Sequence, residues 1–332
     1  MFYKQVTIFI SALVCLFTLT SSKRQITIFI IGDSTAANKS NYATNPERGW
    51  GMMLQGCFSE AIRVDNHAVN GRSSKSFINE GRWDKVLASI APGDYVLIQF
   101  GHNDEKPNPD RHTEPGGSFD DNLRRFVQDT RSRGGIPVLL NSVVRRNFFN
   151  QQVKNEDDEL LRQTIYNGEE VVNSDTLVDT HGAYLESPRR VAAEERCVFI
   201  DANKITHDIE QQLGVIGSRR LHMWLKPGEV ASIPKGRKDN THYNVEGAYI
   251  VAQAIAQAVA TKIPTLNRYL RHYNYVVSQQ GKGNYMELQQ AVEAASNVPK
   301  ARILVLDGTW PKPHFTGKFH PHIDKYHGVV IR

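Results

Sequence analysis

Four apolar runs of strand length recur along the chain, at residues 26–31, 95–100, 136–144 and 197–201, and the more polar stretch 62–66 also reads as a short strand. The first run shows no alternation of apolar and polar residues, which is typical of a strand covered on both faces. Between the runs, apolar residues follow helical spacing, for example over 82–90, 119–132, 188–195 and 248–260, and 46–58 is also helix-like. Strands alternating with helices at this pitch predict an α/β fold, with a parallel sheet of about five strands between helices.

The first 22 residues have a different pattern. Lys4 precedes an apolar run over 6–19, and small polar residues lead to a cleavage site near Ser22. This order is typical of a secretory signal peptide, and the run is too short for a membrane span. A lipoprotein anchor on Cys15 is disfavoured because the preceding Val14 is bulky. We therefore expect a secreted or periplasmic protein without a membrane span.

Charge and composition narrow the classes of partner. A net charge of +5 is compatible with an anionic substrate, but the basic residues are scattered and form no block typical of nucleic-acid binding. After export, Cys57 and Cys197 are either bridged or simply buried, and the sequence does not decide between these. It also leaves the oligomeric state open.

Candidate chemistry begins where the first predicted strand ends. Gly32-Asp33-Ser34 reads as a tight turn that places the Ser34 hydroxyl at the carboxyl end of a buried strand. In open α/β sheets ligands bind at that edge, so Ser34 is a candidate nucleophile. An isolated tripeptide of this kind is usually an ordinary turn, and the interpretation needs a base and hydrogen-bond donors elsewhere.

Two further polar turns follow the second and third predicted strands. Asn70-Gly71 is a turn dipeptide whose glycine can present its backbone N–H, and Asn103 can offer a side-chain amide. Each alone is more often a surface turn or an Asx turn. His102 is a candidate ligand or base, with a structural histidine as the alternative.

A base appears near the end of the predicted sheet region. Asp239 and His242 are three residues apart, so the carboxylate can orient the imidazole while the other ring nitrogen accepts a proton. The alternative is a capping aspartate beside an exposed histidine. Together with Ser34, Gly71 and Asn103, these residues supply the groups needed for acyl transfer through a tetrahedral oxyanion.

At these residues the chain resembles the SGNH (GDSL-type) hydrolases. Four longer strings look like the rhamnogalacturonan acetylesterases within that superfamily: PERGWG at 46–51, AVNGRS at 68–73, FGHND at 100–104 and LVDTHGAY at 177–184. The resemblance covers about residues 26–260. It implies a three-layer α/β/α, flavodoxin-like fold and hydrolysis of acetyl esters on pectic backbone sugars, without a metal or another cofactor.

The resemblance also implies roles. Ser34 is the nucleophile, His242 the base and Asp239 its orienter, while the Ser34 N–H, the Gly71 N–H and the Asn103 side chain form the oxyanion hole. We add a hypothesis about substrate choice: an arginine near these motifs grips a galacturonate carboxylate through two parallel bonds. The candidate substrate contacts are Arg48, Trp50, Arg72 and His102.

From residue 269 onward the pattern changes to short strands, a Gly-rich turn and one helix. This piece resembles the opening of pectin methylesterases, which are parallel β-helices, but the catalytic carboxylates of that family would lie beyond residue 332. We expect a signal peptide at 1–22, a hydrolase domain at 23–268 and, at 269–332, a fragment without methylesterase activity that is a truncated module or docks on the first domain. The tail at 311–332 has four histidines whose irregular spacing favours adventitious over specific metal binding: His314, His320, His322 and His327.

Other functions remain as alternatives. An acetylesterase on xylan or a simple sugar acetate would keep the same chemistry, whereas a carbohydrate-binding module with a dead site would leave the triad unexplained. A metal hydrolase would leave Ser34 and Gly71 without roles, and its ligands would be His102, Asp104, Asp239 and His242.

Overall fold

The computed structural model describes residues 24–150, 170 and 172–332. The predicted signal peptide and the alternative anchor at Cys15 lie outside these residues. Within the described ranges, no helix combines the length and the apolar character needed to cross a bilayer.

A five-stranded parallel sheet forms the centre of the larger part of the chain, with strand order β3-β1-β4-β5-β6. This confirms the predicted fold class. The first seven strands of the chain are β1 (Ile26–Gly32), β2 (Glu47–Arg48), β3 (Ile62–Asn66), β4 (Tyr95–Gln99), β5 (Ile136–Leu140), β6 (Val198–Ile200) and β7 (Tyr243–Asn244).

Helices cover both faces of this sheet. They are α1 (Trp50–Met53), α2 (Ser74–Asn79), α3 (Arg82–Ser89), α4 (Ser118–Ser132), α5 (Glu186–Glu194), α6 (Ala202–Gly217), α7 (Val245–Lys262) and α8 (Pro264–Asn267). Alternate residues of β1 belong to two separate cores: Ile28 and Ile30 pack with α1 and α7, and Phe29 and Ile31 with α3 and α4. Because β1 is buried on both faces, its apolar run needs no polar alternation.

The segment predicted as a helix over 46–58 is only partly helical. Glu47 and Arg48 form β2, which pairs antiparallel with β7, and helical structure begins at Trp50. Gly49 permits this path because a Cβ there would lie 2.4 Å from backbone atoms of Ala36 and Ala37. The β2–β7 pair matters for the site, because it places Glu47 beside the segment that carries His242.

Residues 269–332 form a smaller unit with its own helix, α9 (Leu288–Ala295). Its strands are β8 (Tyr275–Val277), β9 (Arg302–Val305), β10 (Thr309–Trp310), β11 (His322–Lys325) and β12 (Val330–Ile331). Strands β8, β9 and β11 form one parallel sheet, and β10 and β12 form another. Ile303 pairs with Ile323, and Thr309 with Val330, so successive coils repeat after 20 and 21 residues.

This unit packs directly on the larger one. Val276 and Leu304 belong to the core shared with α1 and α7, whereas Val277 and Ile303 pack against α9. The Tyr326 hydroxyl donates to the Phe58 carbonyl oxygen at 2.6 Å. Residues 269–332 therefore share core and hydrogen-bond contacts with the larger unit.

The two cysteines considered for a disulfide are both free thiols. Cys57 is buried in the core, and burial raises its thiol pKa to about 12. Cys197 is partly exposed, and burial raises its pKa to about 11. The bridged alternative is therefore not the one observed.

Candidate active site

Ser34 lies in the turn that leaves β1. The turn crosses β4 closely at Gly32, where a Cβ would lie 2.5 Å from the Gln99 carbonyl oxygen. The Asp33 carboxylate closes the turn by accepting from the Thr35 backbone N–H at 2.9 Å and from its hydroxyl at 2.7 Å. The sequence Gly-Asp-Ser-Thr therefore fixes the backbone from which the Ser34 hydroxyl projects.

A buried hydrogen-bond chain supports this turn from behind. The Trp50 indole N–H donates to Gln99 Oε1 at 2.6 Å, and Gln99 Nε2 donates to Thr35 Oγ1 at 2.9 Å. Trp50 is fully buried. Its indole therefore holds the turn and has no surface to offer a substrate, which corrects the hypothesis that Trp50 is a substrate contact.

The structure brings together the three residues predicted as nucleophile, base and orienter. His242 Nε2 lies 2.9 Å from Ser34 Oγ, and His242 Nδ1 lies 2.9 Å from Asp239 Oδ2. Asp239 Oδ1 also accepts the backbone N–H groups of Thr241 and His242 at 2.9 Å each. The two backbone bonds fix the carboxylate, and the carboxylate fixes the imidazole.

Hydrogen bonds and a neighbouring arginine keep the buried Asp239 ionised. Burial opposes ionisation, but the neighbouring His242 and Arg237 hold the Asp239 pKa well below its usual range. Arg237 Nη2 lies 3.0 Å from Asp239 Oδ2, and its Nη1 donates to Glu47 Oε2 at 2.7 Å. The antiparallel pairing of β2 with β7 places this glutamate within reach.

Lys39 closes the network back to the nucleophile. Its Nζ lies 2.8 Å from Glu47 Oε1 and donates to the Ser34 carbonyl oxygen at 2.6 Å and to Asn70 Oδ1 at 2.7 Å. Lys39, Glu47 and Arg237 are all buried. A ring of buried charges therefore links both ends of the Ser34-His242-Asp239 chain, and we name Lys39, Glu47, Arg237 and Asp239 the charge ring.

Sequence reasoning missed Lys39, Glu47 and Arg237. Glu47 lay inside a recognised string, but a charged residue in a single sequence is normally solvated and gives no sign of a buried partner. Arg237 contacts Glu47, which is 190 positions away in the sequence, and Asp239, which is two positions away. The sequence did contain one indication of these contacts. Residues of opposite charge lie close to the motifs: Lys39 follows the Gly-Asp-Ser turn, and Arg237 lies two residues before Asp239.

Hydrogen-bond donors lie next to Ser34. Among the described residues, no acceptor faces the backbone N–H of Ser34 or of Gly71. Gly71 has φ +73°, a conformation that glycine adopts without strain. Asn103 is buried, and one of its amide hydrogens is taken by the Arg72 carbonyl oxygen at 3.2 Å. The geometry thus leaves two backbone donors and part of one side-chain amide for a ligand.

A serine, an oriented imidazole and unused N–H donors on one sheet edge are the equipment of an acyl-transfer enzyme. A comparison with known families agrees with this chemistry, because residues 30–250 match the GDSL-like lipase/acylhydrolase family. The chain belongs to this family. It is a carboxylic ester hydrolase with the α/β fold of that family.

Two curated relatives and one solved structure are similar to this chain. The chain is 35% identical over 237 residues to the rhamnogalacturonan acetylesterase RhgT of Bacillus subtilis, a match that covers 71% of this chain and 90% of RhgT. It is 26% identical over 268 residues to the rhamnogalacturonan acetylesterase of Emericella nidulans, covering 80% and 96%. The solved structure of the B. subtilis protein YxiM superposes with a TM-score of 0.54 at 25% identity, over 72% of this chain and 57% of YxiM.

In this esterase, His102 lies beneath the edge beside Asn103. Its side chain is only 2% exposed, and neither ring nitrogen has a hydrogen-bond partner among the described residues. Burial and the nearby positive groups hold the His102 pKa well below its usual range, so the ring is neutral. It packs edge-on against the His181 ring, with centroids 4.5 Å apart.

One group among the described residues has donor atoms close enough to hold a metal: His102, Glu105 and His181, within 4.8 Å of one another. These are not the ligands considered from the sequence. Glu105 already pairs with Arg145 and with His181 Nδ1, and His181 Nε2 faces the Val143 carbonyl oxygen at 3.1 Å. Since the Arg145 guanidinium already pairs with the Glu105 carboxylate, the three residues are better suited to an internal ion pair than to binding a metal cation.

The two arginines predicted to grip a substrate carboxylate are engaged within the protein. Arg48 is buried and donates to backbone carbonyl oxygens, including Tyr42 at 2.7 Å and Gly281 at 3.2 Å. Arg72 pairs with Glu80, with its Nε 3.1 and 3.2 Å from the two carboxylate oxygens. Arg48 therefore ties the two units together instead of facing a substrate, and a ligand would have to displace Glu80 to reach Arg72.

Proposed function

We propose that this esterase is a secreted enzyme that removes acetyl groups from pectic backbone sugars of the rhamnogalacturonan type, with Ser34, His242 and Asp239 as its catalytic residues. The observation that carries the proposal is the continuous contact from the Ser34 hydroxyl through the His242 ring to the Asp239 carboxylate, with 2.9 Å at each step. Two rhamnogalacturonan acetylesterases among its relatives support the choice of substrate.

In the proposed reaction, Ser34 Oγ attacks the acetyl carbonyl carbon while His242 Nε2 takes the hydroxyl proton. The carbonyl oxygen becomes an oxyanion, and the N–H groups of Ser34 and Gly71 with the Asn103 amide donate to it. His242 then gives its proton to the sugar oxygen as the ester bond breaks, leaving acetyl-Ser34. A water attacks this intermediate by the same steps, releasing acetate and restoring Ser34.

Two alternatives are weaker. An enzyme for acetylated xylan would use the same residues, and only the substrate comparison below separates the two. A carbohydrate-binding module without activity does not account for the buried charge ring around Ser34 and His242. Burying charged groups costs free energy, and a module that only binds sugars would not need them beside a serine and a histidine.

The remaining parts fit the same proposal. We infer that residues 1–22 direct export and that 23–268 form the catalytic unit, while 269–332, like the opening of a pectin methylesterase, has no methylesterase activity of its own. The Arg48 guanidinium, which donates to the Gly281 carbonyl oxygen, supports a structural role for this last unit.

The test measures acetate released from acetylated rhamnogalacturonan by the wild type and by Ser34→Ala. We expect loss of about 10⁴-fold or more in kcat for Ser34→Ala, because the nucleophile is gone. Acetylated xylan is assayed in parallel, with a chelator in a third arm. Equal activity of Ser34→Ala would overturn the serine mechanism, and preference for xylan would overturn the substrate.

A further inference from the structure

The loop between β4 and α4 is fastened over the Gly71 turn. The buried Asp104 carboxylate accepts from the Ser74 hydroxyl at 2.5 Å, from the Ser74 backbone N–H at 3.0 Å and from the Thr113 hydroxyl at 2.9 Å. Lys75 Nζ donates to the Pro109 carbonyl oxygen at 2.7 Å. Contacts on both sides of residue 111 thus fix this loop to the start of α2, directly after the turn.

From this loop, the Arg111 guanidinium covers Gly71. A Cβ built on Gly71 would lie 3.6 Å from Arg111 Nη2, 3.8 Å from Cζ and 3.9 Å from Nη1. Because these three distances are nearly equal, the guanidinium plane lies flat over the glycine. The Gly71 turn is itself linked to the nucleophile, because Lys39 Nζ bridges Asn70 Oδ1 and the Ser34 carbonyl oxygen.

Arg111 differs from the other arginines around the site. Across residues 24–150, 170 and 172–332, its guanidinium has no carboxylate within ion-pair distance and no hydrogen-bond acceptor, and it is partly exposed. Arg72, Arg145 and Arg237 are each paired with a glutamate. A partly exposed guanidinium that lies beside the turn and has no anionic partner among the described residues is a preformed site for an anion.

We propose that Arg111 binds the carboxylate of a uronic acid residue whose acetyl ester lies over Ser34. The inference rests on the proposed function and specifies its substrate as a polyanionic sugar chain. A planar guanidinium matches a carboxylate through two parallel N–H···O bonds. Its place over Gly71 puts it beside the proposed oxyanion donors, where the ring that carries the ester would also present its acid group.

The proposal for Arg111 replaces the hypothesis that Arg48 or Arg72 grips the substrate carboxylate. Both of those guanidinium groups are engaged inside the protein, so a carboxylate would have to compete with existing partners. Arg111 needs no such exchange. Binding at this partly exposed position should weaken as salt is added, because ion pairs that solvent reaches are screened.

The test compares Arg111→Gln with wild type on two matched substrates: acetylated rhamnogalacturonan oligomers and the same oligomers with their carboxylates methyl-esterified. We expect KM for the free acid to rise about tenfold in Arg111→Gln, with kcat nearly unchanged and the methyl ester unaffected. Arg63→Gln, which removes an exposed arginine from strand β3, is the control and should change neither KM. An equal change on both substrates, or none on the acid, would overturn the proposal.

Failure of the proposed function would look different. If wild type released no acetate from these oligomers, calorimetric titration of trigalacturonate and its methyl ester into the wild type and Arg111→Gln would still test Arg111. We expect the wild type to bind the acid more tightly than the ester, and the variant to lose that difference. No discrimination by the wild type would refute the carboxylate site whatever the enzyme hydrolyses.

Discussion

The five-stranded sheet and the three-stranded sheet of residues 269–332 are both parallel, and both end in polar residues at their carboxyl edges. In the smaller sheet these residues satisfy one another: Asp307 accepts from the Ser278 hydroxyl at 2.5 Å and from the Gln279 N–H at 2.7 Å. In the larger sheet, the Ser34 hydroxyl faces His242, and donors beside it remain unused. Polar residues at strand ends therefore mark a site only when their bonding is left incomplete.

The two sheets also differ in how deeply their charged residues are buried. The larger sheet keeps the charge ring buried beside its edge, whereas an ion pair of the smaller unit, Arg302 with Asp324, lies at 2.8 Å on the surface. Burial opposes ionisation of Glu47, but Lys39 and then His242 and Arg237 hold its pKa well below the usual range. Buried charges held in this way resist rearrangement, and such rigidity suits a catalytic edge.

Replacing the aspartate at each edge tests the difference between the two edges most directly. Asp239→Asn should lower kcat by about 10³- to 10⁴-fold, because an amide no longer selects the imidazole tautomer that accepts the serine proton. The matched variant Asp307→Asn should leave kcat within about twofold, since it changes only a turn in the other unit. Both are measured with p-nitrophenyl acetate at saturation. Similar losses in the two variants would erase the distinction between the edges.

A second pair of variants tests the charges. Arg237→Met should lower the free energy of unfolding by about 3 kcal/mol, because Glu47 and Asp239 lose a buried partner. It should also lower kcat by up to about a hundredfold through misplacement of Asp239, with little change in KM. Arg302→Met removes the exposed pair and should cost under about 1 kcal/mol.

Denaturant unfolding and steady-state kinetics measure both variants. Arg237→Lys is added as a conservative variant, since it keeps one positive charge beside Asp239, and it should recover part of kcat. If Arg237→Met were destabilised while its kcat stayed at the wild-type level, the charge ring would be purely structural.

Much of this larger edge was visible in the sequence. Strands β1 and β4 appear as apolar runs because both of their faces are buried, and Ser34 and Asn103 follow these two strands. Gly71 follows β3, which is more polar and less buried. The Asp239–His242 spacing was legible because it is local. Lys39, Glu47 and Arg237 were not, because their contacts depend on the β2–β7 pairing between distant segments. Arg48 and Trp50 stood beside the right motifs but point into the protein, and a single sequence does not encode that orientation.

The smallest expected effect concerns the contact between the two units. Tyr326→Phe removes the hydroxyl that donates to the Phe58 carbonyl oxygen, and it should lower the free energy of unfolding by about 1 kcal/mol while leaving kcat unchanged.

Leu304 of the smaller sheet packs in the same core as Ile30 of β1, so both units should unfold in one transition. Thermal unfolding followed by circular dichroism and by tryptophan fluorescence measures this. Two separate transitions in the wild type would show that residues 269–332 are an independent domain and that their core contact adds no cooperativity.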